Sequence, residues 1–390
     1  MNDLLRDTLA ERAAATEPPP LDLDGIIAAG NHRAARRRTL GILGGAAATA
    51  AVIAGGASVL RPRNEQPQPA RPGPFSQRRA TFALGNKIHY GPDVISVAPH
   101  TVTAFVQTDA GFVFLNADNA IHVVDRSGVR SLGKSAWRLT ADVRGNLVAW
   151  AEGFNDHEES VVYDVAARRE LVRTPIGNKI PKYASIAHGP EIVALDGDTA
   201  YFGTLDGLYR WDIRTNRGEF LAKVSPVAVR TVTAGQIVYA QPLDQREPAV
   251  NLAIAPTVSA TAPARFSGQQ AFLSPAAKYL FTELDDALVV IEPGWAGPAL
   301  YEVATARRIE LPYAYDNLFF GQWLDDDRFV AAGKRRFSKT AETDLLVVTA
   351  ATGAVQVVVP NFAQLTFRTT PPRIAPFAVP TGRPIIDRGE

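Results

Sequence analysis

The sequence predicts an all-β fold, a β-propeller most simply of seven blades, preceded by one N-terminal transmembrane helix. Three observations predict it. Residues Thr39 to Leu60 form an uncharged stretch rich in Ala and Gly. From Thr81 onward, short segments rich in Val, Ile, Tyr, Phe and Trp alternate with Gly, Asp and Asn turns, and helical periodicity is nearly absent. Within that part a strand, an acid, a turn and a second strand recur at the spacing of propeller blades.

Residues 1–38 predict a cytoplasmic tail that is acidic at its start and rich in arginine at its end. Two short segments with near-helical apolar spacing flank Pro18-Pro19-Pro20. Two interpretations of the tail remain open. It is either a docking segment that folds on a cytoplasmic partner such as a sigma factor, or a solvated tail that only helps to set the membrane topology.

Residues 39–60 are long enough for a transmembrane helix, because about twenty helical residues at about 1.5 Å each cross roughly 30 Å of hydrocarbon. Each glycine in the stretch would cost about 1 kcal/mol in a buried soluble helix, which favours the membrane. Arg36, Arg37 and Arg38 resist translocation, so we expect the N-terminus to be cytoplasmic and the C-terminal domain extracytoplasmic. Alternatively, Arg37-Arg38-Thr39-Leu40 resembles a twin-arginine export signal, and the protein is then secreted after cleavage.

Residues 61–80 carry five prolines among polar residues. This composition favours an extended, semi-rigid linker between the membrane and a folded domain. The folded domain is then expected to comprise residues 81–390.

The overall composition excludes several classes of function. The 390 residues carry a formal net charge of +1 and contain no cysteine. Disulfides, thiol catalysis and Cys-ligated zinc are therefore excluded. The balanced charge gives no basic surface for nucleic acid, so we expect no nucleic-acid partner.

The recurring unit is a strand that ends in an aromatic residue or Val plus an acid, followed by a short polar turn and a second strand. Its equivalent points are Asp125, Asp164, Asp212, Glu302 and Thr349. The successive spacings are 39, 48, 90 and 47 residues. Because the long spacing is about twice the others, we expect a degenerate unit near Asn251 to Pro256.

Repeats of about 40 to 48 residues built from strands indicate propeller blades, which stack radially because one sheet cannot bury both of its faces alone. About 310 residues at about 44 per blade give seven blades, with six or eight left open. We expect the seventh blade to combine Ala80 to Val97 with C-terminal strands around Leu365 to Val379, which closes the ring without disulfides.

Two segments resemble known propeller families. The segment from Arg210 to Phe220, with its Trp211-Asp212 dipeptide, resembles the strand end and turn of a WD-repeat blade. The segment from Ala271 to Glu283 resembles the repeat of TolB-like propellers, with Ala276 and Ala277 in place of Asp and Gly. The layout of acidic tail, arginine cluster, hydrophobic stretch and propeller also resembles actinobacterial single-pass membrane proteins. These resemblances imply an architecture and leave the activity open.

A search for chemistry finds no motif for catalysis, cofactor binding or metal binding. Asp156 to Glu159, Asp325 to Asp327 and Lys334 to Arg336 are the most suggestive charged clusters, and we interpret them as a solvated loop, an acidic turn and an exposed hairpin. Ala141-Asp142 resembles the docking repeat of quinoprotein propellers but occurs once, where those proteins repeat it. We therefore expect no catalytic residue, no cofactor-binding residue, no metal ligand and no cofactor.

Two functions remain as hypotheses. The first is a non-catalytic, membrane-anchored propeller that binds a protein or an envelope ligand, in envelope sensing or signalling. The second is an exported enzyme, a lyase or glycosidase, with acids that converge in the central channel from different blades and so leave no local motif. The absence of catalytic motifs favours the first.

Overall fold

The computed structural model describes residues 73–152, 159–175, 191–204, 207–224, 228–241, 251–283, 298–336, 342–365 and 373–387. All of these residues fall within one compact unit, Ala70–Glu390. The predicted tail, the predicted membrane helix from Thr39 to Leu60 and most of the linker lie outside the described residues. Among the residues that are described, no helix is long and apolar enough to cross a bilayer.

Within these residues the strands form seven four-stranded antiparallel sheets, which are the blades of a propeller. Each blade is given from its inner to its outer strand. Blade 1 is β29 (Phe377–Ala378), β1 (Thr81–Leu84), β2 (Lys87–Tyr90) and β3 (Asp93–Ser96). Blade 2 is β4 (Ala104–Gln107), β5 (Phe112–Leu115), β6 (Ala120–Asp125) and β7 (Gly128–Ser135). Blade 3 is β8 (Thr140–Ala141), β9 (Leu147–Glu152), β10 (Glu159–Asp164) and β11 (Arg169–Pro175).

The remaining four blades follow in chain order. Blade 4 is β12 (Glu191–Asp196), β13 (Thr199–Thr204), β14 (Gly207–Asp212) and β15 (Arg217–Ala222). Blade 5 is β16 (Val229–Thr233), β17 (Gln236–Ala240), β18 (Asn251–Ala255) and β19 (Phe266–Ser267). Blade 6 is β20 (Gln270–Leu273), β21 (Tyr279–Glu283), β22 (Ala299–Glu302) and β23 (Arg307–Ile309). Blade 7 is β24 (Tyr315–Trp323), β25 (Arg328–Arg335), β26 (Glu342–Thr349) and β27 (Ala354–Gln364), and a ribbon pairs β28 (Arg373–Ile374) with β30 (Ile386–Asp387).

The predicted repeat is confirmed, and each of its equivalent points is the last residue of the third strand in a blade. The strands β6, β10, β14, β22 and β26 end at Asp125, Asp164, Asp212, Glu302 and Thr349. The expected degenerate unit is β18, the third strand of blade 5. The chain is therefore an all-β, seven-bladed propeller.

The ring closes where the two ends of the domain meet in blade 1, as predicted. Strand β29 pairs antiparallel with β1, with Ala83 opposite Ala378 and Leu84 opposite Phe377. The N-terminal part thus supplies three strands and the C-terminal part supplies the innermost one. The closing strand is shorter than expected, because β27 of blade 7 already extends to Gln364.

Burial falls from the centre of the ring to its rim. All four residues of β4 and of β5 are buried, because blades pack against both faces of an inner strand. Strand β15, at the rim of blade 4, is exposed at nearly every position. Aromatic side chains fill the gaps between blades, and Phe105, Phe112 and Phe114 join blade 2 to blade 1. Burying each such side chain contributes about 1.5–3 kcal/mol, which holds the ring together without disulfides.

The propeller has two faces, which differ in the connections they carry. The turn face carries the connections between first and second strands, such as 142–146, 197–198 and 234–235. The loop face carries the connections that lead into the first strands, such as 136–139 and 310–314. First strands therefore begin at the loop face and end at the turn face.

Candidate functional site in the central channel

A cavity of about 170 Å³ lies at the centre of the propeller. It is lined by the first strands of blades 2 to 7, by the segment before β1 and by the segment after β29. Its described lining contains one carboxylate, Asp142, and four arginines: Arg78, Arg138, Arg230 and Arg383. Arginine therefore predominates among the charged residues of this described lining.

The segment before β1 lies across the turn-face end of the cavity. The Nη1 of Arg78 donates to Oδ1 of Asp109 at 2.9 Å, and its Nη2 donates to the carbonyl oxygen of Val143 at 3.1 Å. The Nε2 of Gln322 donates to the carbonyl oxygen of Arg79 and to Oε1 of Gln107, each at 2.9 Å. Arg78 thus forms an ion pair with an acid of blade 2, and its charge is partly compensated.

The other three arginines lie closer to the loop face and come from distant parts of the chain. Arg138 precedes β8, Arg230 is the second residue of β16, and Arg383 follows β29. The Nη2 of Arg138 donates to the carbonyl oxygen of Ile192 at 3.1 Å, and Arg383 donates to Oε1 of Gln270.

The guanidinium group of Arg383 lies close enough to Arg138 and to Arg230 to disfavour their cations. Burial and the charge of Arg383 hold the pKa of Arg138 well below its usual range. The same two causes lower the pKa of Arg230 to about 10. The cation is therefore the disfavoured form at both side chains.

Gly382 places Arg383 in the channel. Its N–H donates to the carbonyl oxygen of Phe105 at 2.8 Å, and its own carbonyl accepts from the N–H of Leu139 at 2.8 Å. Its φ is +75°, and a Cβ would lie 2.0 Å from the Leu139 carbonyl oxygen. A glycine is therefore required here, and the segment that carries Arg383 is held between blades 2 and 3.

Asp142 lies at the other end of the cavity, after β8 on the turn face. Burial and the nearby charge of Asp196 raise its pKa to about 6, although backbone N–H groups of Arg144 and Gly197 donate to it and oppose the shift. Asp196 in turn accepts the N–H of Gly235 in the next blade at 2.8 Å. These two acids connect consecutive blades through backbone hydrogen bonds.

The charged clusters that the sequence singled out lie away from the cavity or outside the described residues. Asp325 to Asp327 form a turn, in which Asp325 contacts Arg328 at 2.6 Å and Asp327 contacts Lys278 at 2.9 Å. Lys334 is buried and Arg335 pairs with the buried Asp344 at 2.7 Å, so the interpretation of Lys334 to Arg336 as an exposed hairpin is wrong. Residues 156–158 are not among those described.

The described residues contain no group of three or more His, Asp or Glu side chains that could hold a metal ion. His100 and His122 do meet, with ring centroids 4.0 Å apart. Their rings are tilted by 34° and His122 also stacks on Phe114, which is a packing arrangement.

The arginine cluster was missed at the level of sequence, and only one of its members carries a local signal. Arg230 interrupts the apolar segment Val227 to Val232, and a charge inside an apolar strand often marks a functional site. Arg138 and Arg383 lie in ordinary polar surroundings. Ring closure is what brings the three together.

Comparisons with known proteins add little to this geometry. No family model and no curated protein matches the chain. Among solved structures it is similar to the uncharacterized protein lmo1340 from Listeria monocytogenes (8% identity, TM-score 0.45, covering 69% of this chain and 86% of that one). It is also similar to BamB from Moraxella catarrhalis, with 13% identity and a TM-score of 0.41, covering 78% of this chain and 90% of that one. A chain of the mitotic checkpoint complex is similar with 10% identity and a TM-score of 0.45, covering 87% of this chain and 100% of that one. Because these TM-scores are all below 0.5, we base the fold on the sheet topology.

Proposed function

We propose that the protein is a single-pass membrane protein whose extracytoplasmic propeller is a non-catalytic binding module for a protein or envelope ligand, in envelope sensing or signalling. The observation that carries this proposal is the lining of the channel. Its described residues bring arginines together near the loop face, where a propeller enzyme of the lyase or glycosidase type would need converging acids. Guanidinium groups present fixed N–H donors that bind and orient anions.

The enzyme alternative has one observation in its favour. Asp142 has a pKa raised to about 6, in the range that suits a general acid. Its carboxylate, however, accepts hydrogen bonds from backbone amides of two blades. A role in joining blades explains both the position and the burial of this side chain.

Exposed aromatic side chains on the loop face support the binding of a protein. Trp137 is 68% exposed and Tyr313 is 73% exposed, and both lie on connections that enter first strands. The guanidinium of Arg336 lies 3.6 Å from the ring centroid of Tyr313. Tryptophan, tyrosine and arginine are the residue types that most often dominate the energy of protein interfaces.

The proposed membrane anchor is Thr39 to Leu60, for the reasons of length and flanking charge given above. Its orientation can be tested cleanly because the chain has no cysteine. We expect a membrane-impermeant maleimide to label Ala351→Cys, in an exposed turn of blade 7, on intact cells. Ala13→Cys in the tail should react only after the cells are permeabilised, and the reverse pattern would contradict the proposed topology.

Partner binding can be tested by purifying the full chain with its partners from detergent-solubilised membranes. We expect Trp137→Ala together with Tyr313→Ala to lose the co-purified protein. Phe220→Ala is the matched control, since Phe220 is also exposed but lies at the rim of blade 4. Equal recovery from both variants would contradict binding through the loop face.

A further inference from the structure

We propose that two copies of this chain associate through β27 (Ala354–Gln364), the outermost strand of blade 7. The two strands pair antiparallel, which joins the two blades into one eight-stranded sheet. This surface is separate from the loop face, and the pairing does not depend on the partner proposed there.

The outer edge of β27 is open to another strand. Among the described strands only β26 pairs with β27. The N–H of Ala354 donates to Oγ1 of Thr352 at 3.2 Å, and Pro360 has no N–H. The edge that can pair therefore runs from Val355 to Val359, about 17 Å. The register along β26 is regular to Val357 and shifts once before Val359, and a shift of this kind increases the local twist of a strand.

The absence of charge distinguishes β27 from the other outermost strands. Proteins commonly protect an exposed edge strand from pairing with another chain by placing charged side chains on it. Strand β27 has eleven residues and no charged one, and β19 has only two residues. Each of the other five carries at least one charge: Asp93 in β3, Arg130 and Lys134 in β7, Glu170 in β11, Glu219 in β15, and Arg307 and Arg308 in β23.

Bulky apolar side chains of β27 lie in solvent. Val357 is 44% exposed and Val358 is 40% exposed, and Gln356 beside them is also exposed. Removing apolar surface from water contributes about 25 cal/mol per Å². Pairing at this edge therefore gains apolar burial in addition to backbone hydrogen bonds.

A second copy of the chain is the occupant that matches this edge. The matching strand must be uncharged and rich in β-branched residues, and among the outermost strands longer than two residues only β27 has no charge. In a two-fold contact the same patch meets itself, so the segment from Val355 to Val359 brings no like charges together. The same contact at β23 would place Arg307 and Arg308 against their copies. Both strands are already ordered, so pairing loses little conformational entropy.

The contact is small and self-limiting. An edge of five residues is expected to bury less than the roughly 1,200 Å² of typical stable complexes, so we expect a weak dimer that is best detected by covalent trapping. A two-fold contact uses the β27 edge of both copies, so association stops at two.

The twist of the blade lets both copies face the same way. Sheets twist by about 20–25° from strand to strand, so the outermost strand of a four-stranded blade is rotated by about 60–75° from its innermost strand. Since innermost strands run from the loop face to the turn face, a two-fold axis roughly along the channel can relate two antiparallel copies of β27. The two loop faces then point in one direction, as anchoring in one membrane requires, and this step alone rests on the proposed function.

The test is a single-cysteine scan of the full chain, purified in a mild detergent, because the chain has no cysteine of its own. Gln356→Cys, Val357→Cys and Val358→Cys are each treated with a mild oxidant. Opposite Cα atoms of an antiparallel pair lie about 4.5–5.5 Å apart, and a disulfide forms only between Cα atoms closer than about 7 Å. The control is Val94→Cys, which is 55% exposed on β3, the outermost strand of blade 1.

We expect one scanned position, the one nearest the two-fold axis, to dominate and to form at least about fivefold more disulfide-linked dimer than Val94→Cys, because only there do opposite residues meet this distance limit. Adding Gln356→Lys to the stronger of Val357→Cys and Val358→Cys places like charges across the pair, which is destabilising, so the linked fraction should fall. Gln356→Asn is the matched neutral control and should keep it. The Tm of each variant verifies that the propeller is folded.

Linkage no greater than that of Val94→Cys at all three positions, or equal linkage with Gln356→Lys and Gln356→Asn, would overturn the inference. Linkage of these cysteines in cells to a different protein, in place of the dimer, would also overturn it. Partner capture through Trp137 and Tyr313 is measured separately, so its loss with the dimer intact would contradict only the proposed function.

Discussion

Buried charged side chains of this propeller differ in what offsets the cost of their burial. Asp344 is buried, and although burial raises its pKa, hydrogen bonds from Arg335, Asn361 and Tyr315 lower it below its usual value. Arg230 has a lowered pKa because burial and Arg383 both disfavour its cation. The first arrangement is that of a structural ion pair, whereas in the second a neighbouring cation adds to the cost of burial.

The raised pKa of Asp142 predicts a pH dependence of stability. Because its folded pKa of about 6 lies above the ordinary value of 3.8, the protonated form is favoured in the folded state. Its contribution is fully present below about pH 4 and is lost as the pH rises through about 6. We expect the free energy of unfolding of the wild type, relative to Asp142→Asn, to fall between these pH values in urea titrations.

The control for this experiment is Ala117→Asn, at an exposed position in a turn of blade 2, which neither removes nor adds a titratable group. The free energy of unfolding of this variant, relative to the wild type, should not change with pH in the same window. A constant difference between the wild type and Asp142→Asn would show that the Asp142 carboxyl has an ordinary pKa.

His122 predicts the opposite dependence. Burial and the charge of His100 lower its pKa, and among the described residues neither ring nitrogen has a hydrogen-bond partner. The neutral form is therefore favoured in the folded state. The stability that it contributes is fully present above about pH 6.5 and is lost as the pH falls through the lower pKa of the folded state. His122→Phe, which keeps an aromatic ring against Phe114, should resist mild acid better than the wild type in urea titrations. Identical acid sensitivity would contradict this.

Single elements of the fold differ in how well the sequence predicted them. Third strands were found correctly because each ends in a recognisable residue before a tight turn, as at Asp125 and Asp212. The innermost strands β8 and β29 have two residues each. Segments so short have no periodicity, so their positions follow only from the ring that they complete. Closure of blade 1 was predictable because the N-terminal and the C-terminal ends of the domain each had fewer strands than a four-stranded blade needs.

The segment that follows β29 predicts a specific effect of substitution. Gly382→Ala adds a Cβ 2.0 Å from the Leu139 carbonyl oxygen at a φ of +75°. We expect a loss of about 1–3 kcal/mol in the free energy of unfolding, from backbone strain and from the displaced segment, measured by urea denaturation.

Gly85→Ala is the matched control, because Gly85 has a φ of +58° and an added Cβ would meet nothing within 4 Å. The expected loss in the free energy of unfolding is then only the cost of placing alanine in the left-handed backbone conformation, about 1–2 kcal/mol at most. If both variants lose the same stability, contact with Leu139 does not hold the segment.

For the whole molecule, the sequence predicted the architecture and missed the site for one physical reason. Strand propensity, turn residues and repeat spacing are local properties, and together they predict seven blades, with six or eight left open. Arg138, Arg230 and Arg383 are far apart in the chain, and they meet only because seven blades close into a ring. The same holds for Trp137 and Tyr313, which the sequence analysis did not single out and which share the loop face.

The central claim is that the propeller binds a partner at its loop face, and in-cell photocrosslinking tests it most directly. A photoreactive phenylalanine analogue would replace Trp137 in the full chain, with the same replacement of Phe220 at the rim of blade 4 as the control. We predict one defined crosslinked product from position 137 and none from position 220. The absence of a product at position 137, or equal products at both positions, would contradict the claim.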